Sequence, residues 1–427
     1  MEYSRKMTPS QKIKELREHR KYTQEALASA LKCSKSKVSK AEAGECEYSE
    51  RDIKLAKAFF GVENAPFNDR ERIEFKQRLY KWKHWIKNSH IDEARQFQKN
   101  VSAITKLPFE PTLNMLYRMF EIRLVLKEGK PDLAEEMLRI EETDIENASE
   151  ENQHHFYYNL GSVYFYRYDL KNALFFYRKA LDLEMYALEK DVGLHFNLAM
   201  CYGELGKYVL AITTIENAYH EFEYNMIGAA KSYMDSMLAI NYVRIGQVSR
   251  AKQLLDRSLT EAMGSSNQFF TYLSLHNYGC ACFEAKEYDR AIEYFDRVIE
   301  YFKAADRHRL EAMYYKFRCL VADKKTAIVK PLLYNAMSEV EGNEHYRLAF
   351  ESLLHMATIK QDESMEFIEK KTIPYFIKER GYYKALDYCI MLESIYRQRG
   401  KGYKTRALEV SSLIRNMAME IAFGEGV

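Results

Sequence analysis

The feature that most constrains the fold is an alanine that returns at a nearly constant interval along the chain. Successive spacings of 40, 39, 38, 40 and 40 residues separate Ala94, Ala134, Ala173, Ala211, Ala251 and Ala291. A fixed period of this length is typical of a solenoid of helix pairs, in which each pair buries its apolar face against its neighbours. The sequence therefore predicts an array of helical repeats.

The composition agrees with helices and excludes several other classes. The 427 residues include only 17 Gly and 7 Pro, fewer turn residues than a sandwich or barrel of short strands needs. A hydrophobic fraction of 47% rules out a disordered chain. No apolar run approaches the roughly 18 residues of a membrane span, and the first residues lack the apolar core of a secretory signal. We expect an all-α, cytoplasmic protein that makes no contact with a membrane.

Within the period, small and aromatic residues recur at the positions that define a tetratricopeptide repeat. In one unit, Gly161 and Ala173 are the small positions of the two helices and Tyr177 is the aromatic position. Small residues let the two helices cross closely, and the aromatic rings fill the space beside them. Beyond about residue 305 the pattern degrades, and Tyr396 and Ala407 mark a closing repeat. We expect roughly eight helix pairs in a right-handed α-solenoid.

The first 65 residues differ from the rest in charge and pattern. Residues 1–40 hold 11 basic and 4 acidic residues, although the net charge of the whole chain is only +2. Glycines at positions 44 and 61 are expected to end the third and fourth of four short helices. The N-cap residues of the first three helices are predicted to be Thr8, Thr23 and Ser34, and the fourth helix is predicted to run from Ser49 to Phe60. A small domain with concentrated positive charge is suited to nucleic acid.

The second and third of these helices are separated by Lys32 and Cys33, which is the spacing of a helix-turn-helix motif. The segments TQEALASALKCSKSKVSKAEAGE and DIKLAKAFFGV resemble the Cro/cI (XRE) DNA-binding domains. The resemblance implies base contacts from Lys35, Ser36 and Lys40 in the major groove, where Lys can donate to guanine. It implies phosphate or flanking contacts from Thr23, Gln24, Ser34, Lys37 and Ser39.

A helix-turn-helix head followed by long-period tetratricopeptide repeats resembles the peptide-sensing regulators known together as the Rap, Rgg, NprR, PlcR and PrgX (RRNPP) family. The layout is closest to that of NprR. The resemblance implies a DNA-binding domain over residues 1–65, a linker over 66–72 and a peptide-binding repeat domain over 73–427. It implies a quorum-sensing transcriptional regulator that binds operator DNA and a re-imported signalling peptide, and that changes its oligomeric state as a homodimer or tetramer.

Several polar residues are expected to face the concave side of the repeats. Asn159, Asn197 and Asn277 occupy the same position of three units, and an asparagine offers both a donor and an acceptor to a peptide backbone. Arg123 projects to the same side and could pair with a peptide carboxylate. Each asparagine could instead be a surface residue or a link between repeats. Neighbouring residues expected to form side-chain pockets are Tyr158, Met200, Arg244 and His276.

Motifs of enzyme chemistry are not found, so we expect neither catalytic residues nor a cofactor nor a bound metal. The seven scattered cysteines are expected to be reduced. A second hypothesis is a Rap-like interaction protein that binds or dephosphorylates a response regulator through its repeats. That activity would be sought in residues 68–130, which include Trp82, Trp85, Gln96 and Gln98. A third is a phage-type regulator with a protein partner in the groove.

Overall fold

In a computed structural model, the described residues are 7–87, 90–167, 169–222, 229–263, 268–304, 306–340, 343–358, 361–378 and 382–423. All regular structure within these ranges is helical, which confirms the all-α prediction. The chain divides into two compact units, which are Met1–Arg167 with Phe175–Lys190, and Tyr168–Leu174 with Asp191–Val427. None of the helices described is both long enough and apolar enough to cross a membrane.

The first unit begins with four short helices, which we call the head: α1 (Pro9–His19), α2 (Gln24–Leu31), α3 (Lys35–Ala43) and α4 (Glu50–Phe59). The three predicted N-caps are confirmed, because the hydroxyls of Thr8, Thr23 and Ser34 each accept a backbone N–H of the first turn. Ser49 caps α4 in the same way. Gly44 ends α3 with a φ of 80°, a left-handed conformation that glycine adopts without strain.

The rest of the first unit is built from longer helices arranged as pairs. The first helix of each pair packs against the first helix of the next, so that α5, α7 and α9 lie side by side. A single cluster of buried apolar side chains extends from Ile13 in the head to Val163 in α9. The helices are α5 (Asp69–Lys87), α6 (Ile91–Val101), a 3₁₀ helix (Ser102–Lys106), α7 (Pro111–Lys127), α8 (Pro131–Ile145), α9 (Glu150–Tyr166), α10 (Leu170–Asp182, which crosses the division) and a 3₁₀ helix (Glu184–Tyr186).

The second unit repeats the same arrangement. Its helices are α11 (Val192–Glu204), α12 (Tyr208–Phe222), α13 (Ala229–Arg244), α14 (Val248–Met263), α15 (Gln268–Glu284), α16 (Tyr288–Tyr301), α17 (Arg307–Ala322), α18 (Thr326–Ala336), a 3₁₀ helix (Met337–Val340), α19 (Glu344–Thr358), α20 (Gln361–Phe367), a π-helical segment (Ile368–Thr372), α21 (Ile373–Lys378), α22 (Tyr382–Arg399), a 3₁₀ helix (Lys401–Tyr403) and α23 (Lys404–Phe423). The first helices α13, α15 and α17 pack consecutively.

The alanine period corresponds to the helix crossings within the pairs. All six alanines lie in the second helix of a pair, in α6, α8, α10, α12, α14 and α16, and each is 0% exposed. The turns between the paired helices also repeat, since a left-handed residue stands at Gly129, Gly206, Gly246, Lys286 and Lys324. The repeated contact and the repeated turn together explain why the sequence period is so regular.

Two features differ from what the sequence suggested. The described helices after the head form nine pairs rather than roughly eight. The extra pair lies beyond residue 305, where the alanine signal is absent and where α20 and α21 form one second helix interrupted by a π-helical segment. In addition, the segment expected to be a linker, residues 66–72, contains Phe67, which is 1% exposed, and the first residues of α5.

The helix crossing at Gly279 provides a test of this packing. A Cβ atom at position 279 would lie 2.7 Å from Cε1 of Phe295. We expect Gly279→Ala to lower the free energy of unfolding by about 1–3 kcal/mol, as overpacked cores do. Gly402→Ala is the matched control, because a Cβ at position 402 meets no atom within 4 Å. Equal urea midpoints for the two variants would contradict the close crossing.

Candidate functional sites

Helix α3 presents a polar face to solvent and an apolar face to the head. Val38 and Ala41 are 0% exposed and anchor the helix. Outside this anchor, the structure exposes five of the predicted DNA-binding residues of this segment: Ser34, Lys35, Ser36, Ser39 and Lys40. Thr23 is exposed as well, and its hydroxyl caps α2 by accepting from the Ala26 N–H at 3.1 Å. The motif therefore offers a continuous surface of hydroxyl and ammonium groups.

A buried ion pair fixes α3 against α1. Arg17 donates from Nε to Glu42 Oε1 at 2.6 Å and from a terminal nitrogen to Oε2 at 2.7 Å, so the pair is bidentate. Gln24, expected to contact phosphate, donates to the same carboxylate at 2.8 Å. The hydrogen bond to Glu42 raises the pKa of Arg17. Because Glu42 is at the inner face of α3, this network sets the orientation of the polar face.

The three lysines of α3 have different surroundings. Lys35 forms an exposed ion pair with Glu25 of α2. Lys37 donates to Asp52 at 2.7 Å, and this hydrogen bond raises the pKa of Lys37. Asp52 also accepts from the N–H and the hydroxyl of Ser49, so Lys37 links α3 to the start of α4. Lys40 makes no ion pair with any residue that the structure describes.

In the first unit, three of the predicted peptide-binding residues lie together but are buried. Asn159 is 1% exposed, and Arg123 is 6% exposed. Asn159 donates to the Met119 carbonyl at 2.7 Å and accepts from Arg123 Nε at 3.3 Å, so it joins α9 to α7. The guanidinium of Arg123 lies 4.0 Å from the ring centroid of Tyr158. In this conformation both ends of the Asn159 amide are used to connect repeats.

In the second unit, the remaining predicted residues are half-buried along neighbouring first helices. Met200 of α11 accepts from the hydroxyl of Tyr233 at 3.4 Å, and Asn277 of α15 donates to Ser236 of α13 at 2.6 Å. Asn197 is half-buried on α11. The three asparagines are therefore not equivalent, because Asn197 and Asn277 are accessible to a degree that Asn159 is not.

Two further members of that set are held by nearby groups. Arg244 of α13 pairs with Glu284 of α15 at 3.0 Å. His276 lies 3.4 Å from the Asn277 side-chain oxygen, measured from Nδ1, and burial lowers the pKa of its imidazole. Burial therefore favours the neutral imidazole, which can donate or accept a hydrogen bond.

Polar contacts that sequence reasoning missed join α17 to α22. Lys384 pairs with Glu311 at 3.0 Å, and Arg318 pairs with Asp387 at 2.8 Å. Burial acts to raise the pKa of Glu311, but Lys384 and the Tyr346 hydroxyl outweigh it and hold that pKa at about 2. Burial also lowers the pKa of His345 to about 3. These residues lie beyond residue 305, where the repeat pattern is degraded.

The residues considered for a Rap-like activity have unequal access to solvent. Trp82 is 0% exposed and donates to the Ala94 carbonyl at 2.9 Å. Gln98 is buried and donates to the Tyr117 hydroxyl and to Glu121. Trp85 is half-buried, and Gln96 is exposed on α6. Of these four side chains, only Gln96 is exposed.

Comparisons with known proteins agree with this architecture. A family model described as a helix-turn-helix domain matches residues 10–66, and one described as a tetratricopeptide repeat matches residues 154–184 and 272–304. The chain is 23% identical over 398 residues to the "Transcriptional activator NprA" of Geobacillus stearothermophilus. The aligned region covers 86% of this chain and 93% of that relative.

Two solved structures share the fold. One is a Rap protein complexed with Competence and Sporulation Factor, with a TM-score of 0.71 and 15% identity over 82% of this chain and 99% of that chain. The other is NprR in complex with its cognate peptide NprX, with a TM-score of 0.65 and 16% identity over 81% of this chain and 98% of that chain.

The Arg17–Glu42 pair gives a direct test of how α3 is held. We expect Glu42→Ala to destabilise the head by about 1–3 kcal/mol, since Arg17 loses its bidentate partner and Gln24 loses its acceptor. Glu18→Ala is the control, because Glu18 is 54% exposed and pairs with the same arginine at 3.2 Å, so it should cost about 1 kcal/mol or less. Hydrogen exchange of the α3 amides measures both, and equal protection in the two variants would contradict the account.

Proposed function

We propose that this chain, whose helix-turn-helix head and tetratricopeptide repeats have the layout of the Rap, Rgg, NprR, PlcR and PrgX family, is a peptide-responsive transcriptional regulator. The observation that carries the proposal is the exposed face of α3, in which Ser36, Ser39 and Lys40 point to solvent while Arg17 and Glu42 fix the helix. A polar helix held rigidly at the surface can enter the major groove.

The individual roles on α3 follow from the contacts of each lysine. Lys40 is available for a base edge, and a lysine there can donate to guanine O6 or N7. Lys35 can exchange its exposed partner Glu25 for DNA, because surface ion pairs contribute about 1 kcal/mol or less. Lys37 is bound to a buried carboxylate, so its first role in the proposal is to hold α3 rather than to contact phosphate.

The signal is proposed to be a short peptide bound along the first helices of the repeats. NprA is named a transcriptional activator, and NprR has been solved with a cognate peptide. In this chain, the half-buried Asn197 and Asn277 are better placed than Asn159 to hold a peptide backbone. Peptide binding is proposed to alter the self-association of the chain into a dimer or a tetramer. The change in oligomeric state would alter the affinity of the chain for two DNA half-sites.

A second candidate function is binding or dephosphorylation of a response regulator, as the Rap-like layout suggests. The exposed Gln96 on α6 is the observation that favours it. Because α6 lies outside the head, this activity would be expected to survive substitutions on α3, and the two functions can be separated by mutation.

The DNA assignment predicts that Lys35→Ala combined with Lys40→Ala abolishes sequence-specific binding and leaves the fold intact. The probe is a duplex selected by the wild-type chain from a random library, measured by fluorescence anisotropy over a range of salt concentrations. Loss of two cationic contacts should also lower the salt slope of the residual nonspecific binding by about 1–2. Lys171→Ala, an exposed lysine on α10, is the control. Undiminished binding by the double variant would reject α3 as the reading helix.

The peptide assignment predicts different effects for two asparagines. Asn197→Ala should weaken binding by about 1–3 kcal/mol, because it leaves a peptide group unpaired. Asn159→Ala should instead destabilise the repeats by about 1–3 kcal/mol, since the Met119 carbonyl loses its donor. The probes are synthetic short peptides that tile any short reading frame found directly downstream of the gene, titrated calorimetrically. Equal affinity of wild type and Asn197→Ala for a binding peptide would contradict the assignment.

A further inference from the structure

The head is joined to the first repeats by buried chain rather than by an exposed linker. Val62, Ala65 and Phe67 are each 1% exposed or less, although they lie between α4 and α5. The Phe67 N–H donates to Glu71 at 2.7 Å, and Lys57 of α4 pairs with the same carboxylate at 3.0 Å. The segment that connects the two domains is therefore part of the packed interior of the first unit.

A second contact joins the head to the repeats at a distance along the chain. Glu110, directly before α7, is 2% exposed and lies between two cations. Its Oε1 is 3.3 Å from Nζ of Lys12 on α1, and its Oε2 is 3.1 Å from Nε of Arg72 on α5. We call these three residues the Glu110 cluster. In this cluster, one carboxylate pairs with a cation of the head and with a cation of the first repeat helix.

Two aromatic rings pack beside the Glu110 cluster on the side of Lys12. Lys12 lies over the ring of Phe109 at 5.4 Å, and Phe67 meets that ring edge-on at 5.6 Å. Burial raises the pKa of Glu110 even though two cations are adjacent to it. Removing one partner of a buried ion pair is costly, because it leaves an uncompensated charge.

Helix α7 connects this contact to the predicted peptide face. Glu110 stands at the N-terminus of α7, and Arg123 lies on the same helix, about 20 Å farther along at 1.5 Å per residue. Arg123 is bonded in turn to Asn159 of α9. A displacement of α7 would therefore move Glu110 and the groups that it holds, since a helix behaves as a stiff rod over this length.

We propose that the head and helices α5–α9 move as one rigid body, held by Glu110 between Lys12 and Arg72, so that association of two copies through their repeats fixes the spacing of the two DNA half-sites. This inference rests on the proposed function, in which the chain binds DNA as an assembly of copies. In this arrangement the head is not freely hinged, and helices α5–α9 determine its position on DNA.

The first test measures the motion of the head in the full chain, without DNA or peptide. In ¹⁵N–¹H correlation spectra of the wild-type chain, the resonances of the head should have the same linewidths as those of α5–α9. Glu110→Lys should sharpen the head resonances selectively, because three cations would then meet in one buried site. Glu74→Lys is the control, since Glu74 is exposed and pairs only with the exposed Arg70 of its own helix in the described structure. If Glu110→Lys fails to fold, Lys12→Glu tests the same contact from the head.

The second test uses duplexes selected from a random library and then altered by about 5 bp between half-sites, half a helical turn. The wild-type chain should lose about tenfold or more in affinity, as expected when one of two linked contacts is lost. Glu110→Lys should lose about threefold or less, because a freed head can reach the displaced half-site. An equal loss of affinity for the altered duplexes in the wild type and in Glu110→Lys would overturn the rigid coupling.

The two tests distinguish failure of the inference from failure of the proposed function. Sharp head resonances in the wild type would overturn the rigid coupling while DNA binding could still hold. If the wild-type chain selects no duplex at all, the proposed function fails, and the spectra alone decide whether the head and α5–α9 move together.

Discussion

The fold depends on the close crossing of two helices within each repeat, which leaves room for no more than a methyl group. Six alanines meet this requirement at 0% exposure, and Gly279 meets it where the ring of Phe295 fills the remaining space. Interiors packed at crystal density tolerate no larger side chain without displacement. The constraint returns in the six pairs from α5 to α16, so the sequence period and the packing period are the same there.

Close packing also determines which polar residues remain available for function. Between α7 and α9, Asn159 and Arg123 satisfy each other and the Met119 carbonyl, so their polar groups stabilise the repeats. In the head, the buried Glu42 engages Arg17 and Gln24 and leaves the opposite face of α3 exposed. The candidate functional groups are those that the internal hydrogen bonds do not use, above all Ser36, Ser39 and Lys40.

Local signals predicted the elements well, and long-range contacts were not predictable from them. N-caps such as Ser34 and stops such as Gly44 act within one turn of their helix, so the sequence alone indicates them. The Lys384–Glu311 pair joins residues 73 positions apart, and the Glu110 contact with Lys12 spans 98 positions. Neither separation is a multiple of the repeat, so no periodicity marks it. Asn159 bonds to Met119, one repeat earlier in the chain, and so takes the alternative role of a link between repeats. The sequence did not indicate which of the three asparagines takes this role, because all three occupy the same position of their units.

The most direct test of the account asks which groove of DNA the head reads. On a duplex selected by the wild-type chain, methylation interference distinguishes guanine N7, which faces the major groove, from adenine N3, which faces the minor groove. The account predicts interference at guanine N7 in two half-sites, and loss of that interference at the guanine contacted by Lys40 when Lys40 is replaced by alanine. Interference confined to adenine N3, with guanine N7 indifferent, would contradict the assignment of α3 as a major-groove recognition helix.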